Sequence, residues 1–463
     1  MPSKSLGAEA YLVSLRSSKA FILWTLAIAS FADTFLYSIV VPVFPTSLVT
    51  RAHVKPEDVQ SWLSVLLAIY GAALVLTAPI SGYALDRCSS RKIPFLSGLI
   101  FSLTGTAMIC VGNSIGLLIA GRVISGASAA VVWTASAAMV VANIEKAEIG
   151  SALGIIALAL NLGGVAGPIL GGVVYDHGGY YSVFGMAFGV LAVDVVLRFL
   201  LIERAEVQEA ITRGGPEYNI SDTDLSHGRQ ALPPSADDCA VVVTREKTWR
   251  RRLPAALALL SFPRVLITIL GSFVMALLLA AFEAVLPLFV EQEFGFSSTG
   301  AGLIFLPLAI PSLIDPLVGR VCDKHPQAGR YIAASGFLGA AAPLVLLRLV
   351  NHGGTGQTVL LCALLAIIGL GLALTASPLL VEVNLSVAAI EKDFPGICGS
   401  RGAVAQGFGL FICAFAAGTL VGPLLAGFIK EHSNWGTMTW VLGLVSGLVG
   451  IPISLGLGGW IGD

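Results

Sequence analysis

Twelve apolar runs divide this sequence, and each is long enough to cross the roughly 30 Å hydrocarbon core of a bilayer. They lie near 20–44, 60–84, 93–112, 115–142, 149–175 and 180–202, then near 262–290, 298–320, 329–350, 357–384, 403–430 and 435–459. Lipid offers the backbone no hydrogen-bond partners, so runs of this kind are read as helices of an all-α, multi-pass membrane protein. Composition agrees where it matters: 12% of the residues are charged, against about 25% in a soluble domain. The one long polar segment is 203–261, which carries Gly214-Gly215-Pro216, Pro233-Pro234 and Arg250-Arg251-Arg252 and reads as a solvated linker. The chain is thus expected to comprise an N-tail (1–19), a six-helix half (20–202), a linker (203–261) and a second six-helix half (262–460).

Basic residues set the expected orientation. With the N-terminus inside, 22 of the 27 Lys and Arg fall in the tail, the linker, the loops near 84–93, 143–148, 320–329 and 385–402, and the adjoining span ends. Arg51, Lys55, Arg348 and Lys430 fall opposite, and Arg122 lies within a run. Both termini are expected in the cytoplasm, with the plasma membrane as the expected location and a vacuolar or vesicular membrane as the alternative. The first apolar run is about 25 residues long, which suits a retained span better than a cleaved signal peptide. The sequon Asn219-Ile220-Ser221 falls on the cytoplasmic side and is expected to stay unmodified.

A net charge of −1 and the lack of a basic stripe leave no footprint for nucleic acid. The seven cysteines, at 88, 110, 239, 322, 362, 398 and 413, stand singly, without zinc spacing, and are expected to be free thiols. No His, Cys or Ser constellation suggests an enzyme, a metal or another cofactor. The expected partners are lipid, a small solute and protons, and the chain is expected to act as a monomer.

Within the fifth run, Gly163, Gly167 and Gly171 recur every four residues, and so do Gly164, Pro168 and Gly172. On a helix these form two adjacent stripes that let another helix approach backbone to backbone. Gly154, nine residues earlier, falls on roughly the opposite face. The pattern Gly-x8-Gly-x3-Gly-Pro-x2-Gly-Gly resembles the antiporter motif in the fifth helix of the drug:proton antiporters of the major facilitator superfamily, and it matches at every defined position. A partial copy, Gly418-x3-Gly422-Pro423-x2-Ala426-Gly427, stands 255 residues later. A second repeated pair is Pro79-x2-Gly82-x3-Asp86-Arg87 against Pro316-x2-Gly319-x3-Asp323-Lys324. Two repeats in corresponding places fit the major facilitator arrangement, and that resemblance implies parallel halves with a substrate site between them near the midplane. The glycine stripe is accordingly expected to belong to the moving joint and not to a binding pocket.

The loop from Gly82 to Lys92 resembles the superfamily's Gly-x3-Asp-Arg-x-Gly-Arg-Arg motif, with Ser89 where the family has Gly. The resemblance implies a cytoplasmic gate built on Gly82, Asp86, Arg87 and Arg91, with Asp323 as the counterpart of Asp86. Asp86 is expected to pair with a cation or a helix N-terminus.

Charges inside the spans mark function by default, because each costs several kcal/mol unless paired or neutralised. Asp33 lies about 20 Å along span 1 at 1.5 Å per residue. Glu283 lies about 10 Å below the outer end of span 7. Together they are expected to place one acid on each half of a central cavity. Their contexts, Asp-x8-Pro and Glu-x3-Pro, resemble those of the vesicular amine transporters, but spans 10 and 11 here lack the acids that those proteins carry. Arg122 resembles the arginine of the span 4 motif Arg-x2-Gln-Gly, with Ser125 in place of Gln, which the family links to proton coupling. Asp194 and Arg198 are expected to pair along span 6, and Asp315 and Glu382 to lie near the cytoplasmic surface. Aromatic residues such as Trp24, Tyr37, Trp62, Tyr70 and Trp133 could line a cavity.

The resemblance implies a proton-coupled efflux antiporter for small, largely apolar organic molecules such as drugs, toxins or secondary metabolites, driven by the proton gradient. A proton symporter or uniporter on the same fold, or more remotely a transport-inactive receptor, is the alternative.

Overall fold

The computed structural model describes residues 16–88, 90–201, 255–296, 298–394 and 402–459. Most of the linker, with Asn219 and Arg250-Arg251-Arg252, lies outside them, as do Ser89, Cys239 and Cys398. Among the described residues all regular structure is helical. Among these residues, eleven helices are long and apolar enough to cross a membrane.

The difference from twelve arises at Gly179. Spans 5 and 6 form one 52-residue helix, Ile149–Leu200, interrupted by Gly179 at φ 73°, ψ −174°, a conformation open to glycine and costly for other residues. A straight helix of that length would measure about 78 Å, more than twice the core of a bilayer. Its two ends meet one short stretch of chain instead. Lys19 pairs with Glu145, just before the helix, and Arg16 Nε donates to Leu200 O at 2.5 Å at its end. The chain therefore doubles back at Gly179.

The remaining spans are Lys19–Ser38 (span 1), Val59–Arg87 (span 2), Lys92–Cys110 (span 3), Ile115–Asn143 (span 4), Pro263–Phe294 (span 7), Ala328–Leu346 (span 9), Thr355–Asp393 (span 10), Val404–His432 (span 11) and Trp435–Gly456 (span 12). Local signals set several ends. Ser18 Oγ accepts from Phe21 N and Asn434 Oδ1 from Thr437 N, capping spans 1 and 12. Gly295, at φ 65°, closes span 7 in the left-handed conformation. Span 8, expected as one run, is broken into Ser298–Leu303, Leu306–Ala309, a 3-10 turn Ile310–Ile314 and Asp315–Lys324. Pro307, Pro311 and Pro316 each remove a backbone donor from this stretch, which accounts for the break.

Packing follows a two-fold pattern. Span 1 lies along span 5 and span 7 along span 11 within the halves, whereas span 2 meets span 11 and the end of span 8 meets span 5 between them. The end of the bundle at which span 1 begins is called proximal below, and the opposite end distal.

Candidate functional site

At the proximal end the two halves are joined by carboxylates that cap helices of the opposite half. Asp86, buried at the end of span 2, accepts from Ala405 N at 3.0 Å, Gln406 N at 2.9 Å and Gln406 Nε2 at 3.3 Å, in the first turn of span 11. Asp323, at the end of span 8, accepts from Gly150 N at 2.6 Å and Ser151 N at 2.8 Å, in the first turn of span 5. Each carboxylate satisfies amides that the helix itself leaves free and meets the positive end of its dipole. Small residues bring the backbones close enough. A Cβ on Gly82 would lie 2.6 Å from Ala405 O, and one on Gly154 would lie 2.5 Å from Asp315 O. Of the basic partners in the motif, Arg91 donates to Ala138 O at 2.7 Å on span 4, and Arg87 stacks over the Tyr83 ring at 4.3 Å.

Beyond this seal a cavity of about 440 Å³ opens between the halves, lined by spans 1, 2, 4, 5, 7, 8, 10 and 11. It reaches Pro42 at the distal end of span 1 and the exposed Glu291 at that of span 7. Its walls are largely apolar, with Tyr37, Tyr70, Trp133, Phe305 and Phe415 among them. Trp133 of span 4 meets Phe415 of span 11 edge to face at 5.8 Å, a contact that crosses the halves. Glu283 is on the wall and half-buried. Span 7 continues to Phe294, beyond the expected end near 290, so Glu283 lies about 16 Å from the distal end of its helix, deeper than expected. Trp24, by contrast, is exposed, and Trp62 packs among apolar residues of the first half.

Asp33 does not share that wall. It is 6% exposed and lines a separate small pocket with Tyr37, Tyr70, Ser102, Thr106 and Ser125. Tyr37 and Tyr70 line both spaces, their rings 4.4 Å apart, so this pair separates Asp33 from the main cavity. The expected symmetric pair of acids on one cavity is thus corrected: Glu283 faces it, and Asp33 sits behind two tyrosines. Arg122 is fully buried and stacks over Phe44 at 4.7 Å, Tyr37 at 5.5 Å and Tyr70 at 6.0 Å. Its Nη1 donates to Tyr37 O at 3.3 Å, and its Nε and Nη2 have no hydrogen-bond partner among the described residues. It braces the tyrosine pair from behind and pairs with neither acid, so its charge is met by aromatic faces.

The glycine motif divides between two tasks. Gly163, Gly167 and Gly171 lie on span 1, where added Cβ atoms would meet the main chain of Phe31, Phe35 and Ile39. Gly418 and Gly422 lie in the same way on Phe273, Leu277 and Ala281 of span 7. In the second stripe, Gly164 and Pro168 line the cavity, while Gly172, like Gly427 of the copy, faces open space. The expectation of a moving joint is therefore corrected. The main stripe packs inside one half, and Gly154 is the member of the motif at the seam between halves.

A family model described as Major Facilitator Superfamily matches residues 26–390. The chain belongs to the major facilitator superfamily. Relatives of similar length agree. An uncharacterized MFS-type transporter of Schizosaccharomyces pombe is 34% identical, over 94% of each chain. The MFS-type transporter ppzB of Metarhizium rileyi is 32% identical, over 96% of each. More distant is the class B tetracycline resistance protein of Escherichia coli, at 26% identity over 91% of this chain and 92% of that one. The crystal structure of the human organic anion transporter MFSD10 shares the fold with a TM-score of 0.65 and 16% identity, over 94% of this chain and 99% of that one.

One acid of this facilitator lies deeper than expected. Asp315 is fully buried, with the helix continuing nine residues past it to Lys324, about 14 Å. Its Oδ2 accepts from Asn161 Nδ2 of span 5 at 3.1 Å, and its main-chain O accepts from Ser377 Oγ of span 10 at 2.8 Å. Glu382 is buried too, but it stays near the proximal end as expected, beside the first turn of span 7 and the end of span 12. It pairs with Arg264 of span 7 and accepts from Ser386 Oγ at 3.0 Å and Gly458 N at 3.2 Å, tying the second half together. Asp315 lies deeper than its place in the apolar run suggests because its helix continues to Lys324, past the end of the run near 320. Asn161, in an otherwise apolar run, is the signal that points to it. Asp194 and Arg198 pair as expected, at 2.6 Å, and Arg198 also donates to Phe95 O at 2.8 Å. The five described cysteines are free.

Proposed function

We propose that this member of the superfamily is a proton-coupled antiporter that exports small, largely apolar organic molecules by alternating access. The observation that carries the reading is the opposition between a proximal end sealed by Asp86 and Asp323 and an apolar, aromatic-lined cavity reaching the distal surface. A solute released from that cavity leaves on the distal side. The excess of Lys and Arg in the tail and proximal loops supports a cytoplasmic proximal end, hence outward release. The complete Gly154–Gly172 pattern supports antiport, and the resemblance to the tetracycline resistance protein supports efflux. Asp33 exchanges the coupling proton, Arg122 braces the Tyr37–Tyr70 partition, and Glu283 sets preference among substrate charges. A monomer suffices, since both halves of the cavity come from one chain.

The test begins by comparing small molecules retained by cells with and without the protein. The best candidate is then followed in proteoliposomes under an imposed pH gradient. Antiport requires the solute to accumulate in the compartment with more protons, against the proton flow. Accumulation alongside proton flow would make the protein a symporter, and indifference to the gradient a uniporter.

A further inference from the structure

Asn161 and Asp315 form a side-chain hydrogen bond that crosses the two halves beside the closed end of the cavity, deeper than the Asp86 and Asp323 caps. Asn161 lines the cavity, and so does Ser312, three residues before Asp315. One carboxyl oxygen, Oδ2, is held by Asn161, and the other, Oδ1, is buried with no hydrogen-bond partner among the described residues. A buried carboxylate with an unpartnered oxygen is unfavourable, whereas the same group carrying a proton is tolerated. No base answers it. On span 5 the facing groups are Gly154 and Asn161, and on span 10 Ser377. The charged groups of the packed elements are engaged elsewhere or lie at the helix ends. Asp323 caps span 5, Glu382 holds Arg264, Arg330 donates to the main chain of Leu457, and Asp194 holds Arg198. Arg320 and Lys324 on its own helix are exposed, Asp176 and His177 lie at the distal end of span 5, and Glu391, Lys392 and Asp393 at the proximal end of span 10.

We infer that Asp315 is a second proton-carrying group, positioned by Asn161, whose protonation holds the halves together at their proximal ends. With the cavity open distally, a proton from water in the cavity forms an O–H bond on the carboxylate, and the neutral group keeps its place against Asn161. When the halves part proximally, the Asn161–Asp315 bond and the Gly154–Asp315 contact are the ones that must separate. The carboxyl then meets water on that side, its O–H bond breaks, and the proton leaves to water. At this site one proton crosses per cycle, in the direction opposite to the exported solute and in addition to the one exchanged at Asp33. The inference rests on the transporter reading above only in requiring that the halves part at the proximal end.

The test reads conformation and needs no substrate. Spin labels on Ala147→Cys and Gln327→Cys, both exposed and on either side of the Asp323 cap, report the proximal gap in lipid nanodiscs, in a chain whose own cysteines are serine. Raising the pH should increase the separated population in this parent, approaching about tenfold in the ratio per pH unit if one proton governs it. Asp315→Glu should keep that response, and Asp315→Asn, permanently neutral, should flatten it with the gap closed. Asn161→Ala, which keeps the carboxyl but removes its holder, should raise the separated fraction at every pH. A parent without pH response would overturn the inference, and Asp315→Asn titrating like the parent would overturn it and pass the response to Asp33 or Glu283. Should Asp315→Asn fail to fold, an unchanged Asn161→Ala distribution would overturn it instead. A protein that proved a symporter would show its error in the direction of solute flow, with this label titration unaltered.

Discussion

Two carboxyl groups that look alike in sequence stand in different surroundings, and their roles should separate accordingly. Glu283 is half-buried on the cavity wall, where a solute can touch it. Its charge acts on whatever binds, so Glu283→Gln should weaken binding of a cationic probe by about tenfold relative to a neutral one of equal size, a reasonable value for one charge in a partly screened cavity. Competition binding with the two probes checks this, and equal loss for both would remove Glu283 from charge selection. Asp33 lies behind Tyr37 and Tyr70. Asp33→Asn should therefore leave solute exchange across vesicles at equal pH intact while sharply reducing accumulation driven by a pH gradient, the remainder being the share carried through Asp315. Accumulation that persisted undiminished would take the coupling proton away from Asp33. The sequence exposes both acids as anomalies in apolar runs, but which of them faces the cavity depends on the tyrosines of two different spans, and no local pattern carries that.

Helices were readable wherever their cause is local. The requirement that each spanning segment close its own hydrogen bonds makes an apolar run a helix, and runs 1 to 4 and 9 to 12 all appear near their expected places. Ends are less readable, since spans 7, 8 and 10 continue for several residues past the apolar stretch, which is why Asp315 looks superficial in the sequence. Glycine spacing announced a packing stripe but could not name the surface it packs on. The structure now separates neighbours within the motif. Gly167 faces Ile39 N and Phe35 O, where an added Cβ would lie 2.8 and 2.9 Å away, whereas Gly172 has nothing within 4 Å. Gly167→Leu should push span 5 off span 1, at a cost of about 1–3 kcal/mol or more for overpacking, and abolish transport. Gly172→Leu should be tolerated. Thermal unfolding in detergent together with vesicle transport checks the pair, and similar losses at both positions would contradict the packing assigned to the stripe.

Between the halves, the molecule uses one device twice. Asp86 of the first half caps span 11 of the second, and Asp323 of the second half caps span 5 of the first. The repeated Gly-x3-Asp in the sequence foreshadows this, although the second copy keeps Lys324 for Arg87 but has Ala328 and Gly329 in place of Arg91 and Lys92. A carboxylate at a helix N-terminus contributes typically 0.3–1 kcal/mol and up to about 2 kcal/mol where partly buried. With about 1 kcal/mol at each site, Asp86→Asn or Asp323→Asn should raise the ratio of separated to joined proximal ends by about fivefold. The two caps hold different helix pairs and share no partner, so the double variant should multiply the two factors, to about twenty-five-fold. The distance distribution between labels on Ala147→Cys and Gln327→Cys, taken at one pH, measures all three variants. If one cap alone held the end, one single variant would match the double and the other would match the parent. If neither single variant moved the distribution, the seal would reside in the close backbone packing at Gly82 and Gly154, and the carboxylates would be fittings of the closed state without governing it.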